Sequence, residues 1–204
     1  PGHSIDISRV ELPMMVNLHH PLNLEVIGAE AQHDNMQSAA YRVIWGFLRK
    51  CPASKVRFCI FDPKEGGGSV RMLSNFVNKM PDSYKRAVTQ MSRTEELLSC
   101  LKELEGQTLD FIRDRPDYDD LLDYNAHNPR RTEAITLLML YDFPLNADAR
   151  CLELLSSVMQ KGNRCGIYVV LCRNTAVEVA SSYDHIDEKL AELEKNCVQI
   201  ECKE

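Results

Sequence analysis

The protein has 204 residues, a length typical of one globular domain. Apolar residues make up 44% of the chain and charged residues 26%, which excludes a disordered or low-complexity chain. The net charge of -6 excludes a domain that binds nucleic acid with its whole surface, although a local basic stripe remains open. No apolar run approaches the roughly 18 residues that a membrane span needs.

Short apolar runs alternate along the chain with amphipathic stretches, which predicts alternating strands and helices. In chain order, the predicted strands are residues 22–27, 56–61, 135–141, 167–171 and 198–201. The predicted helices are residues 35–50, 69–79, 94–115, 117–125, 148–161 and 177–195. Wholly apolar strands separated by helices favour a mainly parallel sheet between two helical layers, a three-layer α/β sandwich.

Proline and glycine residues mark several of the predicted boundaries. Pro52 and Pro116 each follow a helix that they would end, and Gly162 is expected to close the fifth helix as a left-handed cap. Gly66, Gly67 and Gly68 predict a loop after the second strand.

Cysteine usage bears on the compartment. The eight cysteines lack the CxxC spacing of a zinc site, and Cys59 and Cys172 lie in apolar runs where a thiol behaves as a small hydrophobic side chain. Reduced core thiols are therefore favoured over disulfides or a metal site, and a cytoplasmic location is expected. Because the chain begins at Pro1 rather than Met, we expect residues 1–204 to be one domain of a longer polypeptide.

Three segments resemble the FtsK/SpoIIIE-type ATPases, RecA-like P-loop proteins that pump DNA or secreted protein. They are LNLEVIGAEAQHDN (22–35), FCIFDPKEGGG (58–68), and LLMLYDFP (137–144) followed by LELLSSVMQKGNRCGIYVVLCRN (152–174). In this order they resemble the strand and helix around the phosphate loop, a strand ending in Asp-Pro-Lys, and the Walker B strand with the helix and strand after it. The resemblance implies a RecA-like P-loop fold with a helical insertion at about 92–127.

The same resemblance shows where the chain departs from the family pattern. The motif GxxxxGK[ST] would begin at Gly28 and place glycine, lysine and Ser or Thr at positions 33, 34 and 35, but the chain has His33, Asp34 and Asn35 there. Asp142 corresponds to the Walker B aspartate, and Phe143 replaces the glutamate beside it. The residues therefore predict a degenerate nucleotide site without the phosphate-binding lysine or the water-activating carboxylate.

For the other candidate residues, a purely structural role is an alternative to the functional one. Asp62 and Lys64 follow a strand and form a second candidate site, or simply a turn. Arg164 would reach the phosphate of a ring neighbour, or serve as a charge near a helix C-terminus. Asp142 is also compatible with a helix cap or a loop acid. A basic stretch, favoured as a solvated face over a DNA contact, consists of Lys79, Lys85, Arg86 and Arg93.

The resemblance leaves three functions open. The first is a pseudo-ATPase: a non-hydrolysing assembly or regulatory module of a DNA- or protein-translocating multidomain ATPase, whose partners are other domains of the same protein or ring neighbours. The second is an active DNA translocase that uses ATP and magnesium. The third is a sensor that binds nucleotide without turnover. The first is favoured, with no catalytic residue, no metal site and no membrane partner expected.

Overall fold

A computed structural model describes residues 23–29, 31, 33–63, 77–177 and 186–202 of the chain, with nothing described of the His33 side chain. Its six strands are β1 (Asn23–Gly28), β2 (Val56–Phe61), β3 (Val88–Met91), β4 (Ile135–Phe143), β5 (Ile167–Asn174) and β6 (Cys197–Glu201). Its helices are α1 (His33–Lys50), α2 (Asp82–Lys85), α3 (Thr94–Asp114), α4 (Leu121–His127), α5 (Ala149–Lys161) and α6 (Ile186–Glu194). The glycine loop at 66–68 and most of the helix predicted at 69–79 lie outside the described residues.

The six strands form one sheet in the order β3-β2-β4-β5-β1-β6, and every pairing is parallel. The prediction of an α/β fold with a parallel central sheet is confirmed. β4 is buried along its whole length, as its unbroken apolar sequence predicts for a strand that helices cover on both faces. All strand ends that precede a helix therefore lie at one edge of the sheet, where ligands bind in folds of this class.

Side-chain alternation assigns the helices to the two faces of the sheet. The ring of Phe47 in α1 lies 6.1 Å from that of Tyr168 in β5, so α1 covers the face to which Tyr168 points. Arg57 of β2 points to the opposite face and forms an ion pair with Glu103 of α3 at 3.1 Å. α3 and α5 pack against each other on that second face.

α3 and α4 occupy the stretch that the resemblance assigns to a helical insertion. The apolar stripe of α3 is buried in the main core, and its residues are Leu97, Leu101, Leu104 and Phe111. Helix α4 begins at Leu121 instead of residue 117, because the Asp120 carboxylate accepts a hydrogen bond from the Asp123 N–H at 2.8 Å and caps the helix there.

The sequence patterns missed β3. This strand lies at the edge of the sheet and only Met91 is buried, so Val88–Met91 carries no apolar alternation that would reveal it. β3 also divides the basic stretch, because Lys85 and Arg86 precede the strand and Arg93 follows it. A strand of four residues separates the two groups by about 13 Å. Lys85 is paired with Asp82 at 3.0 Å, and Arg93 with Glu96 at 2.6 Å.

The left-handed residue after α5 is not Gly162, as predicted, but Gly166. Gly162 has the ordinary helical φ of -64° and begins a 3-10 turn, Gly162–Cys165, that extends the helix. Gly166 then has a φ of 72° and leads directly into β5. A Cβ at Gly166 would lie 2.3 Å from the Leu121 Cδ2 atom. Both the backbone conformation and the packing therefore require glycine at this position.

Replacing Glu96 by glutamine is expected to weaken the pH dependence of stability in acid. The Glu96 carboxylate accepts hydrogen bonds from the N–H groups of Ser92 and Arg93 at 3.0 and 3.2 Å. These bonds, with the Arg93 side chain, lower its pKa from 4.5 to about 2. Because the pKa is lower in the folded state, this stabilisation is present above pH 4.5 and is lost as the pH falls towards 2. Urea unfolding midpoints measured across that pH range test this, with Glu95→Gln as the control. The role of Glu96 would be contradicted if the midpoints of both variants followed the wild-type pH dependence.

Candidate functional site

The carboxyl ends of β1 and β5 are tied together. Gly28 is the register partner of Asn174, and the N–H of Thr175 donates to the Gly28 carbonyl at 2.9 Å. The Thr175 hydroxyl lies 3.4 Å from the same oxygen. The end of the predicted phosphate-loop strand is thereby fixed to the start of the loop that follows β5.

Asp142 lies at the end of β4, on the other side of β5. It is 2% exposed and has a φ of 47°, a left-handed conformation that few residues other than glycine adopt. Its Oδ1 accepts a hydrogen bond from Asn174 Nδ2 at 3.0 Å. The Asn174 side-chain oxygen in turn accepts the N–H of Ala176 at 3.0 Å. Asn174 therefore fixes the aspartate that the resemblance assigns to the Walker B position.

Asp62 ends β2 and belongs to a second buried group at the same edge of the sheet. It is 4% exposed, and its N–H donates to the Met91 carbonyl at 2.8 Å. Burial, followed by the nearby Asp62 and Cys172, raises the pKa of Tyr41 in α1 to about 12. Burial raises the pKa of Tyr141 well above its usual value, with Cys172, Tyr41 and Asp62 adding to the effect. The tyrosines are therefore neutral at physiological pH. Lys64, the other residue predicted for this site, lies outside the described residues.

The first turn of α1 holds the three residues aligned with the phosphate-loop motif. The helix begins at His33, and Asp34 and Asn35 are both exposed in its first turn. A carboxylate at this position is favourable for the helix itself, because it faces the positive end of the helix dipole. It also repels any anion that would approach the same N–H groups.

The fold places the chain among known ATPase structures. It matches the pCW3 conjugation coupling protein TcpA in its monomer form with ATPγS, with a TM-score of 0.65 and 12% identity over 93% of this chain and 51% of that one. It also matches the cytoplasmic domain of the type VII secretion ATPase EccC from Thermomonospora curvata, at a TM-score of 0.60, 15% identity and 88% coverage. A third match is EssC (ATPases 2 and 3) from Geobacillus thermodenitrificans, at a TM-score of 0.59, 13% identity and 88% coverage.

The chain has the fold of the FtsK/SpoIIIE-type, RecA-like P-loop ATPase domains. It spans between 20% and 51% of the length of these three structures. No family model and no curated protein sequence matches it. Within the described part of the chain, no helix is long and apolar enough to cross a bilayer.

The FtsK/SpoIIIE-type fold gives the remaining candidate residues a context. Phe143, which the resemblance aligns with the Walker B glutamate, is 2% exposed and belongs to the hydrophobic core. Arg164 precedes β5 and so lies at the sheet edge opposite to Asp142. Its guanidinium donates to the Tyr118 and Asp119 carbonyls at 2.8 and 3.0 Å, which holds the segment before α4. A contact of Arg164 with a neighbouring subunit stays a prediction.

Sequence reasoning assigned no role to three residues of this site. Asn174 was visible only as the polar end of an apolar strand, and nothing local indicated that it would bond to Asp142. Tyr41 and Tyr141 belong to apolar patterns of a helix and a strand, so they were indistinguishable from core residues. Among the described residues, no group of three or more His, Cys, Asp and Glu side chains is placed to hold a metal ion.

Replacing Asn174 by alanine is expected to destabilise the protein by about 1–3 kcal/mol, because it removes a hydrogen bond from a buried carboxylate. In a double-mutant cycle with Asp142→Ala, the two effects are expected to be non-additive. Urea unfolding followed by circular dichroism measures both quantities. The matched control is Asn196→Ala, a half-buried amide whose hydrogen bond to the Glu192 carbonyl is exposed, and it is expected to change stability by less than about 0.5 kcal/mol. Strict additivity of the two buried substitutions would contradict the coupling.

Proposed function

We propose that this chain is a non-hydrolysing FtsK/SpoIIIE-like domain that serves as an assembly or regulatory module of a multidomain translocating ATPase. The observation that carries the proposal is the exposed carboxylate of Asp34 at the N-terminus of α1, where the family motif has a lysine. The degenerate nucleotide site would comprise Gly28, His33, Asp34, Asn35 and Asp142.

Electrostatics supports weak triphosphate binding. At about 4 Å and an effective dielectric constant of about 20, exchanging a cation for an anion shifts the interaction by several kcal/mol per phosphate charge. The interaction of an anion with the N-terminus of a helix contributes only about 0.3–2 kcal/mol. Repulsion by Asp34 therefore outweighs the attraction of the helix dipole. The residues present do not fit a tightly held Mg·ATP, and ATP is proposed as a ligand only under the alternatives.

The Walker B region supports the absence of hydrolysis. Phe143 has no group that orients a water molecule, and it is committed to the core. Oδ1 of Asp142 accepts a hydrogen bond from Asn174, so a magnesium ion at that oxygen would share it with the amide. A domain whose site neither activates water nor neutralises phosphate still has the shape of an ATPase domain. Docking on related domains requires that shape and does not require hydrolysis.

Partner domains are proposed from the size of the matched structures. The three solved structures are between two and five times longer than the stretch this chain matches, and the EssC structure carries ATPases 2 and 3. We propose that this chain docks on an active ATPase domain of the same protein or of a ring neighbour, with Arg164 as one candidate contact. A DNA partner has little support, because two of the four cations of the basic stretch are paired with carboxylates.

The test is calorimetric titration with Mg·ATP, together with phosphate release measured with and without duplex DNA. The expected result is no saturable binding at micromolar nucleotide and no phosphate release. Binding without turnover would instead select the nucleotide-sensor function. Turnover that Asp142→Ala abolishes would establish an active ATPase. A gel shift at low salt that is lost on replacing Lys85, Arg86 and Arg93 would show DNA binding through these residues and would favour the DNA translocase.

A further inference from the structure

Two cysteines face each other across the interface between β2 and α3. Cys59 is 3% exposed in β2, and Cys100 is half-buried in α3. The two thiols are near enough for each to shift the pKa of the other. Both line a cavity of about 360 Å³ that also contains Arg57, Glu96 and Glu103 along its walls. Both cysteines therefore border one space that a small polar reagent can enter.

The surroundings favour a thiolate at Cys59. Hydrogen bonding from Cys100, with the nearby Arg57 guanidinium, lowers the pKa of Cys59, although burial and the Glu103 carboxylate oppose the effect. The pKa of Cys100 is raised by the same bond and by burial. The six other cysteines all have raised pKa values, with burial as the main cause. Cys59 is thus the thiol with the greatest nucleophilic character at neutral pH.

We propose that Cys59 and Cys100 form a redox modification site in which hydrogen peroxide converts the thiol pair into a disulfide between β2 and α3. The Cys59 thiolate attacks one peroxide oxygen, the O–O bond breaks, and Cys59 becomes a sulfenic acid as the departing hydroxide takes up a proton to form water. The Cys100 sulfur then loses its proton and attacks the Cys59 sulfur, and the S–O bond breaks to release a second water molecule. One peroxide is reduced to two waters, and two thiols are oxidised to one disulfide.

The bond would fix α3 to the sheet near one of the candidate strand ends. Cys59 lies three residues before Asp62 on β2. The N-terminal half of α3 carries Cys100 and the Glu96 carboxylate that caps the turn before the helix. The modification is independent of nucleotide, so it can be tested whether or not the proposed loss of hydrolysis is correct.

The experiment exposes the reduced chain to limiting hydrogen peroxide at pH 7.5, quenches with catalase, and alkylates in acid before digestion with trypsin. Cleavage after Arg57, Lys64, Arg93 and Lys102 isolates the two cysteines in peptides 58–64 and 94–102. The expected product is these two peptides joined with the loss of two hydrogens, formed at least about tenfold faster than oxidation of Cys51. The thermal midpoint is expected to rise and to return on reduction with dithiothreitol.

Variants separate the two steps of the reaction. In Cys100→Ser, Cys59 is expected to accumulate as a sulfenic acid that dimedone traps. In Cys59→Ser, oxidation of Cys100 is expected to fall to the rate seen at Cys51. Cys51→Ser is the matched control, a half-buried thiol outside the cavity whose loss leaves the product unchanged. Oxidation of Cys59 no faster than that of Cys51, or a first disulfide between other cysteines, would overturn the proposal.

Discussion

The double substitution His33→Gly with Asp34→Lys is expected to raise the affinity for Mg·ATP by at least about tenfold, or ~1.4 kcal/mol. Lysine at position 34 replaces a charge that repels phosphate with one that attracts it, at the first turn of α1. Glycine at position 33 lets the backbone approach the anion closely. Calorimetry at constant ionic strength measures the change.

Phosphate release is expected to remain absent in this variant, because the resemblance aligns the buried Phe143 with the catalytic glutamate and a phenyl ring cannot activate water. The matched control is Asp187→Lys, which makes the same charge change in the first turn of α6. Helix α6 precedes a strand of the same parallel sheet, as α1 does, so both first turns lie at one edge. An equal gain in the control, or no gain in the double variant, would contradict the placement of the phosphate loop at residues 28–35.

Replacing Gly166 by alanine is expected to destabilise the protein by about 2–4 kcal/mol. One part of this cost comes from the φ of 72°, which alanine adopts unfavourably. The other part comes from steric overlap, because the new Cβ would lie 2.3 Å from Leu121 Cδ2 and would push α4 away from the start of β5. Urea unfolding followed by circular dichroism measures the free energy of unfolding.

The two contributions can be separated. In the Gly166→Ala background, Leu121→Ala is expected to cost less than it does in wild type, because it relieves the overlap while leaving the backbone conformation strained. Gly46→Ala is the matched control: Gly46 lies within α1, and a Cβ added there would meet no atom within 4 Å. Alanine at position 46 is expected to stabilise the protein by about 0.5–1 kcal/mol. A neutral effect of Gly166→Ala would contradict the assigned conformation.

Local patterns predicted most of the elements, because the central strands are continuous apolar runs and the longer helices have clear apolar stripes. β2 was predicted with its observed bounds, and α1 and α3 within two residues at each end. β3 was missed, because an exposed edge strand is stabilised by backbone pairing and leaves little trace in its side chains. Gly162 was predicted as the left-handed residue because it directly follows the predicted helix. Gly166 lies four residues further on, and the 3-10 turn that moves the left-handed residue there is not visible in the sequence.

The candidate site was less accessible to sequence reasoning than the fold. Gly28, Asp62 and Asp142 were identified as strand ends, and parallel topology does bring strand ends to one edge. Which ends touch depends on the strand order, a long-range property that no local pattern encodes. The Asn174–Asp142 hydrogen bond depends on that order, and the proximity of Tyr41 and Tyr141 to Asp62 and Cys172 depends on it together with the packing of α1.

The position of β5 has a mechanical consequence. β1 and β4 share no backbone hydrogen bond, because β5 lies between them. The last residue of β5 and the residue after it contact both strands. The Thr175 N–H is bonded to Gly28 of β1, and the Asn174 amide is bonded to Asp142 of β4. A force applied to the end of β1 or of β4 is therefore transmitted to the other strand through two adjacent residues, Asn174 and Thr175. A partner that grips the segment following β4 would displace the loop following β1 in step, with no chemical reaction needed at either end.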